Sequence, residues 1–216
     1  MSTRPAVGGG RWVDVPPARL GRWLDNFAAR HDGEPVVESG PDALRLTAPD
    51  GTRALLYPPP GVPTAADLPS FLAAARAARR LGLLLARKGA VAVGVADGER
   101  LVVSKVDSWY VQGRTAAGGW SQQRFARRRD NQAKAAAAAA ADLVVRLLLP
   151  EVDTLAALVT GGDRRAVEAV LADRRLEPLR ALRAPRLLDV PEPRHAVLVD
   201  AVAAARAVRV LLPDPQ

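Results

Sequence analysis

Apolar residues near the start of the chain follow two different spacings. Between Pro16 and His31 they recur every three or four positions, which predicts a helix with one buried stripe. After that helix the apolar runs become short and are separated by turn-forming residues, which predicts β-strands. The three predicted strands are 35–38, 43–48 and 52–57. Together these elements predict a small αβββ unit at the N-terminus.

The rest of the chain alternates between strand-like runs and helical patterns. A helix is predicted at 67–80, and a long helix at 122–148 has an apolar stripe that begins late, at Ala136. The other predicted strands are 89–96, 100–106, 108–113, 155–160, 186–190 and 207–212, and the other predicted helices are 163–173 and 193–205. This order predicts an α/β (α+β) fold in which helices cover a mixed sheet. The expected boundaries are a disordered segment at 1–10, the αβββ unit at 11–60, a linker at 61–66 and a second domain at 67–212.

The strongest concentration of charge lies where the long helix begins. Residues 114–134 hold six cationic residues against the single acid Asp130, so this segment carries +5 of the formal net charge of +8. The cationic residues are Arg114, Arg124, Arg127, Arg128, Arg129 and Lys134. Arginines near a helix N-terminus oppose its macrodipole by roughly 0.3–1 kcal/mol each, so stability alone does not explain them. The run predicts contact with a phosphate backbone in preference to a merely solvated charged face.

The residues beside this charge run form a recognisable pattern. From Gly118 onward the chain reads Gly-Gly-Trp-Ser-Gln-Gln-Arg-Phe-Ala-Arg-Arg-Arg. This resembles the catalytic loop and following helix of class-I eukaryotic and archaeal peptide release factors, in which a Gly-Gly-Gln tip precedes an Arg-Phe-Ala-Arg run. It is more similar still to the release-factor-like peptidyl-tRNA hydrolases of the Vms-like family, in an actinobacterial branch, whose loop reads Gly-x-x-Gln. In that register the loop spans 113–122, Gly119 and Gln122 are the motif positions, and Gln123 is the alternative glutamine.

The resemblance implies codon-independent hydrolysis of the ester between a nascent peptide and tRNA, on stalled ribosomes or large subunits. The catalytic residues would be Gln122, Gly119, Gly118 and Ser121. A glutamine amide can position water and stabilise an oxyanion, glycines let a loop enter a confined site, and Ser121 is expected to cap the helix. The implied fold is that of the release-factor middle domain, with ribonuclease-H-like topology. The implied partners are large-subunit rRNA and peptidyl-tRNA, without a cofactor.

A non-catalytic ribosome- or tRNA-binding factor is the main alternative, because the basic helix alone could hold RNA. The glycine tip beside an amide favours the enzyme, since binding of a phosphate backbone needs no such tip. No codon-reading domain of the release-factor type is recognisable, which argues against ordinary stop-codon termination.

Three further constellations are weaker. Ser121, Asp189 and His195 follow the chain order of a hydrolase triad, but the second glycine of a nucleophile elbow is missing. A metal-dependent nuclease would need converging carboxylates. The available carboxylates are Asp97, Glu99 and Asp107. Gly161-Gly162-Asp163 lacks the Lys-Ser/Thr of a P-loop and predicts a tight turn with Asp163 as a helix N-cap.

Composition limits the remaining chemistry. The chain has no cysteine, and its two histidines, His31 and His195, are far apart in sequence, so no metal site is predicted. No signal peptide or membrane-length apolar stretch is found, which predicts a cytoplasmic monomer that contacts neither membrane nor DNA. The αβββ unit could bind RNA or act as a buttress for the main sheet, and its balanced charges favour the buttress. Those charges are Arg19, Arg22 and Arg30 against Asp14, Asp25 and Asp32.

Overall fold

The computed structural model describes residues 2–109 and 121–214, and within them the side chains of 3–109 and 131–214. The strands are β1 (Ser2–Pro5), β2 (Arg11–Val15), β3 (Val36–Ser39), β4 (Leu44–Thr47), β5 (Arg53–Tyr57), β6 (Arg80–Arg87), β7 (Ala90–Asp97), β8 (Arg100–Ser108), β9 (Ala157–Gly162), β10 (Arg183–Leu188) and β11 (Val208–Leu212). The α-helices are α1 (Leu20–Arg30), α2 (Leu68–Arg76), α3 (Ser121–Leu148), α4 (Arg164–Leu171), α5 (Glu177–Ala181) and α6 (His195–Arg206).

The chain divides into two compact units, and their boundaries differ from those expected. The first unit comprises residues 1–78 and 203–216, and the second comprises 79–202. The sequence pattern assigns α2 and β11 to the second domain, whereas both belong to the first unit. The segment 1–10, expected to be disordered, contains β1, which pairs with β2.

The second unit has the predicted architecture of a mixed sheet covered by helices. Its strand order is β10-β9-β6-β7-β8, with β6, β7 and β8 antiparallel and β9 and β10 parallel to β6. Three antiparallel strands followed by two parallel ones give the expected ribonuclease-H-like topology. The central strand β6 was not predicted. β8 (Arg100–Ser108) extends the predicted strand 100–106 by two residues, and most of the predicted strand 108–113 lies outside the described residues.

Burial on both faces explains why β6 and β7 form the centre of this sheet. Leu84 and Val93 are paired and face a core that also contains residues of α3 and α4. On the other face, a Cβ at Gly94 would lie 3.0 Å from the side chain of Leu198 in α6, so this strand position is closely covered. Such double burial explains an apolar residue or glycine at nearly every position of both strands.

The first unit is a six-stranded antiparallel sheet with α1 and α2 packed on one face. Its strand order is β1-β2-β11-β5-β4-β3, so β11 lies between β2 and β5. The core between the sheet and the helices contains Phe27 of α1 and Phe71 of α2. The predicted helix and three strands correspond to α1, β3, β4 and β5, and the other strands extend that unit.

Candidate functional site

The candidate loop departs from the end of β8. The preceding β7–β8 hairpin turns at Gly98, whose φ of 57° is the conformation that the predicted Asp-Gly turn requires. Trp109 follows β8 and packs against the core of the second unit. Its backbone N–H donates a hydrogen bond to the carbonyl of Gly89 at 2.7 Å. This bond fixes the position at which the chain leaves the sheet.

Most of the candidate catalytic residues lie at the edge of what the structure describes. The loop residues Arg114, Gly118 and Gly119 lie outside the described residues, so their assignments stay predictions. α3 begins at Ser121, which puts Ser121, Gln122 and Gln123 in its first turn. The helix is described by its backbone there, and the side chains of 121–130 lie outside the described set. The same holds for the side chains of Arg124, Arg127, Arg128 and Arg129.

The two ends of α3 differ in burial. Ala140, Leu143 and Val144 are each 2% exposed or less and belong to the core of the second unit. By contrast, the side chains of 131–135 are all exposed. A rise of 1.5 Å per residue puts Ser121 roughly 28 Å along the helix axis from Ala140. The late start of the apolar stripe, predicted from sequence, is therefore confirmed for the residues with described side chains.

Helical spacing also separates the basic positions from the buried stripe. With 3.6 residues per turn, positions 124, 127, 128 and 134 are rotated by roughly 120–160° about the axis of α3 from the buried Ala140, whereas position 129 is rotated from it by only about 20°. Lys134 is the member of this set with a described side chain, and it is exposed. Four of these five basic positions thus lie on the side of the helix away from Ala140.

A surface ion-pair network joins the anchored end of α3 to the turn before α5. The Nη2 atom of Arg175 donates to Asp142 of α3 at 2.7 Å and to Asp173 at 2.6 Å. The side chain of Arg175, and then its backbone N–H, lower the pKa of Asp173 to about 2. In turn, Asp173 and Asp142 raise the pKa of Arg175. The network thus connects the C-terminal half of α3 to the segment that precedes α5.

A mainly apolar groove of about 330 Å³ lies beside α3 near the end of β8. Its α3 wall is made of Ala133, Ala136, Ala137 and Ala140, and Trp109 also lines it. Lys88 and Arg165 are exposed residues of the same lining. Sequence reasoning missed these residues, because the groove forms only where α3, α4 and the β6–β7 turn meet. Asp163 lines the groove as well, so charged residues of both signs border it.

The carboxylates of the nuclease hypothesis do not converge. Asp97 and Glu99 lie at one end of the β7–β8 hairpin, whereas Asp107 pairs with Val91 toward the other end. The seven residue-to-residue steps from Arg100 to Asp107 along β8 span roughly 23 Å. Among the residues that the structure describes, no group of three or more His, Cys, Asp or Glu side chains could hold a metal ion.

The serine-hydrolase and phosphate-loop hypotheses also lack support in the described parts of the chain. Asp189, with a side chain 86% exposed, pairs with Nη2 of Arg87 at 3.6 Å. His195 is an exposed residue at the start of α6. Asp163 caps α4 as predicted, since its Oδ1 accepts the backbone N–H of Ala166 at 2.9 Å. Within 2–109 and 121–214, none of the helices has the length and apolarity needed to cross a membrane.

Comparison with known proteins identifies the family. An archaeal translation termination factor of known structure is 14% identical, with a TM-score of 0.43 over 90% of this chain and 65% of that chain. A second archaeal protein is 15% identical, with a TM-score of 0.41 over 90% of this chain and 66% of that one. The chain thus spans slightly less than two thirds of the length of both. No curated protein matches it.

The family model for the actinobacteria/chloroflexi VLRF1 release factor matches residues 79–211, more than half of the chain. The match includes the whole ribonuclease-H-like sheet, the candidate loop and α3. The chain belongs to the actinobacteria/chloroflexi VLRF1 release factor family.

Proposed function

We propose that this chain releases nascent peptides by codon-independent hydrolysis of peptidyl-tRNA on stalled ribosomes or large subunits. The reaction would take place in the cytoplasm, as a step of ribosome-associated quality control. The observation that carries the proposal is the construction of α3. Its first turn follows directly on the glycine loop, and four of its five N-terminal basic positions lie on the side away from the buried Ala140. Membership of a release factor family supports a role of this arrangement in peptide release.

In the proposed reaction, Gln122 acts by position rather than as a strong base. A neutral amide offers two donors and an acceptor, so it can orient the attacking water or hydrogen-bond the developing oxyanion. Its backbone N–H is a second candidate donor. Glycines at 118 and 119 would let the backbone approach the ester closely. Ribosomal RNA and the hydroxyl of the terminal ribose would supply the remaining contacts.

Binding is assigned to the cationic residues of the loop and the helix. They are Arg114, Arg124, Arg127, Arg128, Arg129 and Lys134. Each of them can neutralise a phosphate of rRNA or tRNA, which makes affinity depend on salt. The chemistry and the affinity therefore reside on different residues, and single substitutions can separate them.

Three single substitutions test the proposal in an assay of peptide release from peptidyl-tRNA on purified large subunits and on intact stalled ribosomes. Gln122→Ala should lower the release rate on the order of 100-fold or more, as when one oxyanion donor is removed. Its ribosome binding should be unchanged. Gln123→Ala should be milder, because that residue lies beyond the motif. Ser121→Ala changes the first residue of α3, one position after the N-cap, and should cost at most about 1 kcal/mol of local stability and little activity.

The pattern of results distinguishes the competing assignments. Loss of release in Gln123→Ala alone would support the proposed function but would identify Gln123, not Gln122, as the catalytic glutamine. Loss in Ser121→Ala with an active Gln122→Ala would support a serine nucleophile instead. Normal release by all three variants would mean that the loop glutamines are not catalytic. Ribosome binding without release by the unmodified chain would identify the non-catalytic binding factor.

A further inference from the structure

The six-stranded sheet of the first unit has two faces of different character. Strand alternation sends Val13, Leu46 and Val210 into the core beneath α1 and α2. The same alternation puts the intervening residues on the opposite face, including Trp12, Arg45 and Arg209. This second face carries side chains that a structural core does not require.

Two aromatic rings and an arginine occupy the centre of that opposite face. Trp12 on β2 and Tyr57 on β5 have ring centroids 5.3 Å apart and planes tilted by 60°. Arg209 on β11, the strand between them, has its guanidinium carbon 3.9 Å from the centre of the Trp12 ring. All three are partly exposed, whereas Phe27 and Phe71 of the same unit are buried. The face thus presents flat, polarisable groups to its surroundings.

The strands of the same face carry more arginines than acids. The arginines are Arg4, Arg45, Arg53 and Arg209 and the strand acids are Asp14 and Glu38, while Asp50 and Asp214 line one cavity with Arg45 and Arg53. Asp14 pairs with Arg4 at 3.0 Å and with Arg209 at 3.8 Å, and Glu38 pairs with Arg45 at 3.4 Å. More than half of the side chain is exposed for both Glu38 and Arg45, so this pair can open to a ligand at little cost.

The balanced charges that favoured a buttress lie elsewhere in the unit. Arg22, Asp25 and Arg30 are exposed residues of α1, which packs on the other face of the sheet. Asp14 is the member of that balanced set that belongs to the opposite face. The charge balance read from the sequence therefore describes mainly the helix, whereas the opposite face presents aromatic rings and arginines.

We propose that this face of the first unit binds single-stranded RNA. Unpaired bases stack on aromatic rings and on arginine guanidinium planes, and a stacking platform on an open sheet is a recurrent way to hold them. Trp12, Tyr57 and Arg209 supply the stacking groups, and Arg4, Arg45 and Arg53 can contact phosphates on either side. The activity lies outside the loop and α3, so it goes beyond peptide release and does not depend on it.

The test measures binding of a fluorescein-labelled single-stranded RNA of about twelve nucleotides to the full chain by fluorescence anisotropy. The chain carries Arg127→Glu plus Arg128→Glu, so that α3 contributes less to the signal. In this parent, Trp12→Leu and Tyr57→Leu each remove a flat ring but keep apolar bulk. We expect each to weaken binding by about 5- to 100-fold, the factor that corresponds to a lost stacking contact. Trp12→Phe and Tyr57→Phe keep a ring and should bind close to the parent.

Trp23→Leu is the matched control, because Trp23 lies on α1 and stacks on Phe27, on the other face of the sheet. It should leave RNA binding unchanged, with folding of every variant checked by circular dichroism. Ultraviolet cross-linking to RNA that contains 4-thiouridine should label the peptides with Trp12 or Tyr57. Parent-like affinity of both leucine variants at Trp12 and Tyr57 would overturn the proposal, and so would stronger binding of duplex than of single-stranded RNA. Neither result would bear on release by Gln122.

Discussion

The two halves of α3 differ in what holds them and in what they carry. In the C-terminal half, Leu143, Val144 and Leu148 are almost fully buried against the sheet of the second unit. In the N-terminal half, the described side chains at 131–135 are exposed, and the preceding turns carry the arginines. One half of the helix is therefore fixed by packing, whereas the described side chains of the helix that precede Ala136 are exposed.

The difference shows where the stability of this helix comes from. Arginines in its first turns oppose the macrodipole by roughly 0.3–1 kcal/mol each, and neighbours three and four positions apart repel by a few tenths more. Burial of one leucine in the C-terminal half contributes about 1.5–3 kcal/mol, which outweighs several such losses. The core thus allows an unfavourable but basic N-terminal half to stay helical. Substitutions in the two halves should consequently affect different properties.

The largest effect is expected just before the helix, at Gly119. Gly119→Val should abolish peptide release, since a β-branched residue excludes the backbone angles and the close approach that glycine permits. The thermal midpoint should change little, because the loop is not expected to contribute to the core. Single-turnover release on large subunits and thermal unfolding are the two measurements. The same change at Gly51, an open turn glycine with φ of 83°, is the control and should leave release per folded molecule intact. Normal release by Gly119→Val would show that the loop does not enter a confined site.

A truncation in the anchored half should have the opposite profile. Leu143→Ala is expected to lower the free energy of unfolding by about 2–5 kcal/mol, the usual range for a fully buried leucine. Release per folded molecule should stay near that of the parent. Urea titration followed by circular dichroism measures the loss. Leu147→Ala, at a partly buried position, should cost less. Equal losses at both positions would contradict the burial difference along the helix.

Charge reversal in the N-terminal half should weaken binding while the fold persists. Arg127→Glu plus Arg128→Glu removes two predicted phosphate contacts, so the log–log salt slope of ribosome binding should decrease by about two. Sedimentation with large subunits over a salt series gives the slope. The control, Arg19→Glu plus Arg22→Glu, makes the same charge change at exposed residues of the first unit. An unchanged slope in the α3 variant would mean that Arg127 and Arg128 do not contact phosphates and only form a solvated charged face.

The parts of α3 that could be predicted are those with a local signal. The late apolar stripe and the Gly-Gly pair are visible in the sequence, and so is the basic run. The groove beside Ala136 was not predicted, because its walls come from three segments and alanines carry no signal of their own. Side-chain chemistry could thus be read from the sequence where the residues are consecutive.

The sheets show the same limit in the fold. β6 reads Arg-Leu-Gly-Leu-Leu-Leu-Ala-Arg and shows no alternation, because both of its faces are buried. Periodicity cannot separate such a run from a buried helix. β11 was predicted as a strand, but its partners β2 and β5 are far away in sequence, so pattern alone assigned it to the wrong sheet. The residues within an element were predictable, and the long-range pairing was not.

The smallest predicted effect concerns the ion pairs of the anchored half. Arg175 lowers the pKa of Asp173 to about 2, so the stabilisation from this carboxylate should be complete above pH 4 and lost as the pH falls towards 2. Asp173→Asn keeps an oxygen that can accept the backbone N–H of Arg175, seen at 2.9 Å, but cannot ionise. Its thermal midpoint should therefore fall less steeply than that of the parent between pH 4 and pH 2. Arg175→Ala should flatten the same window only in part, because the backbone N–H at position 175 can still donate to Asp173. The double variant should be no flatter than Asp173→Asn, since that change alone removes the titrating carboxylate. A parent-like slope in both single variants would mean that the ion pair between Asp173 and Arg175 does not stabilise the fold.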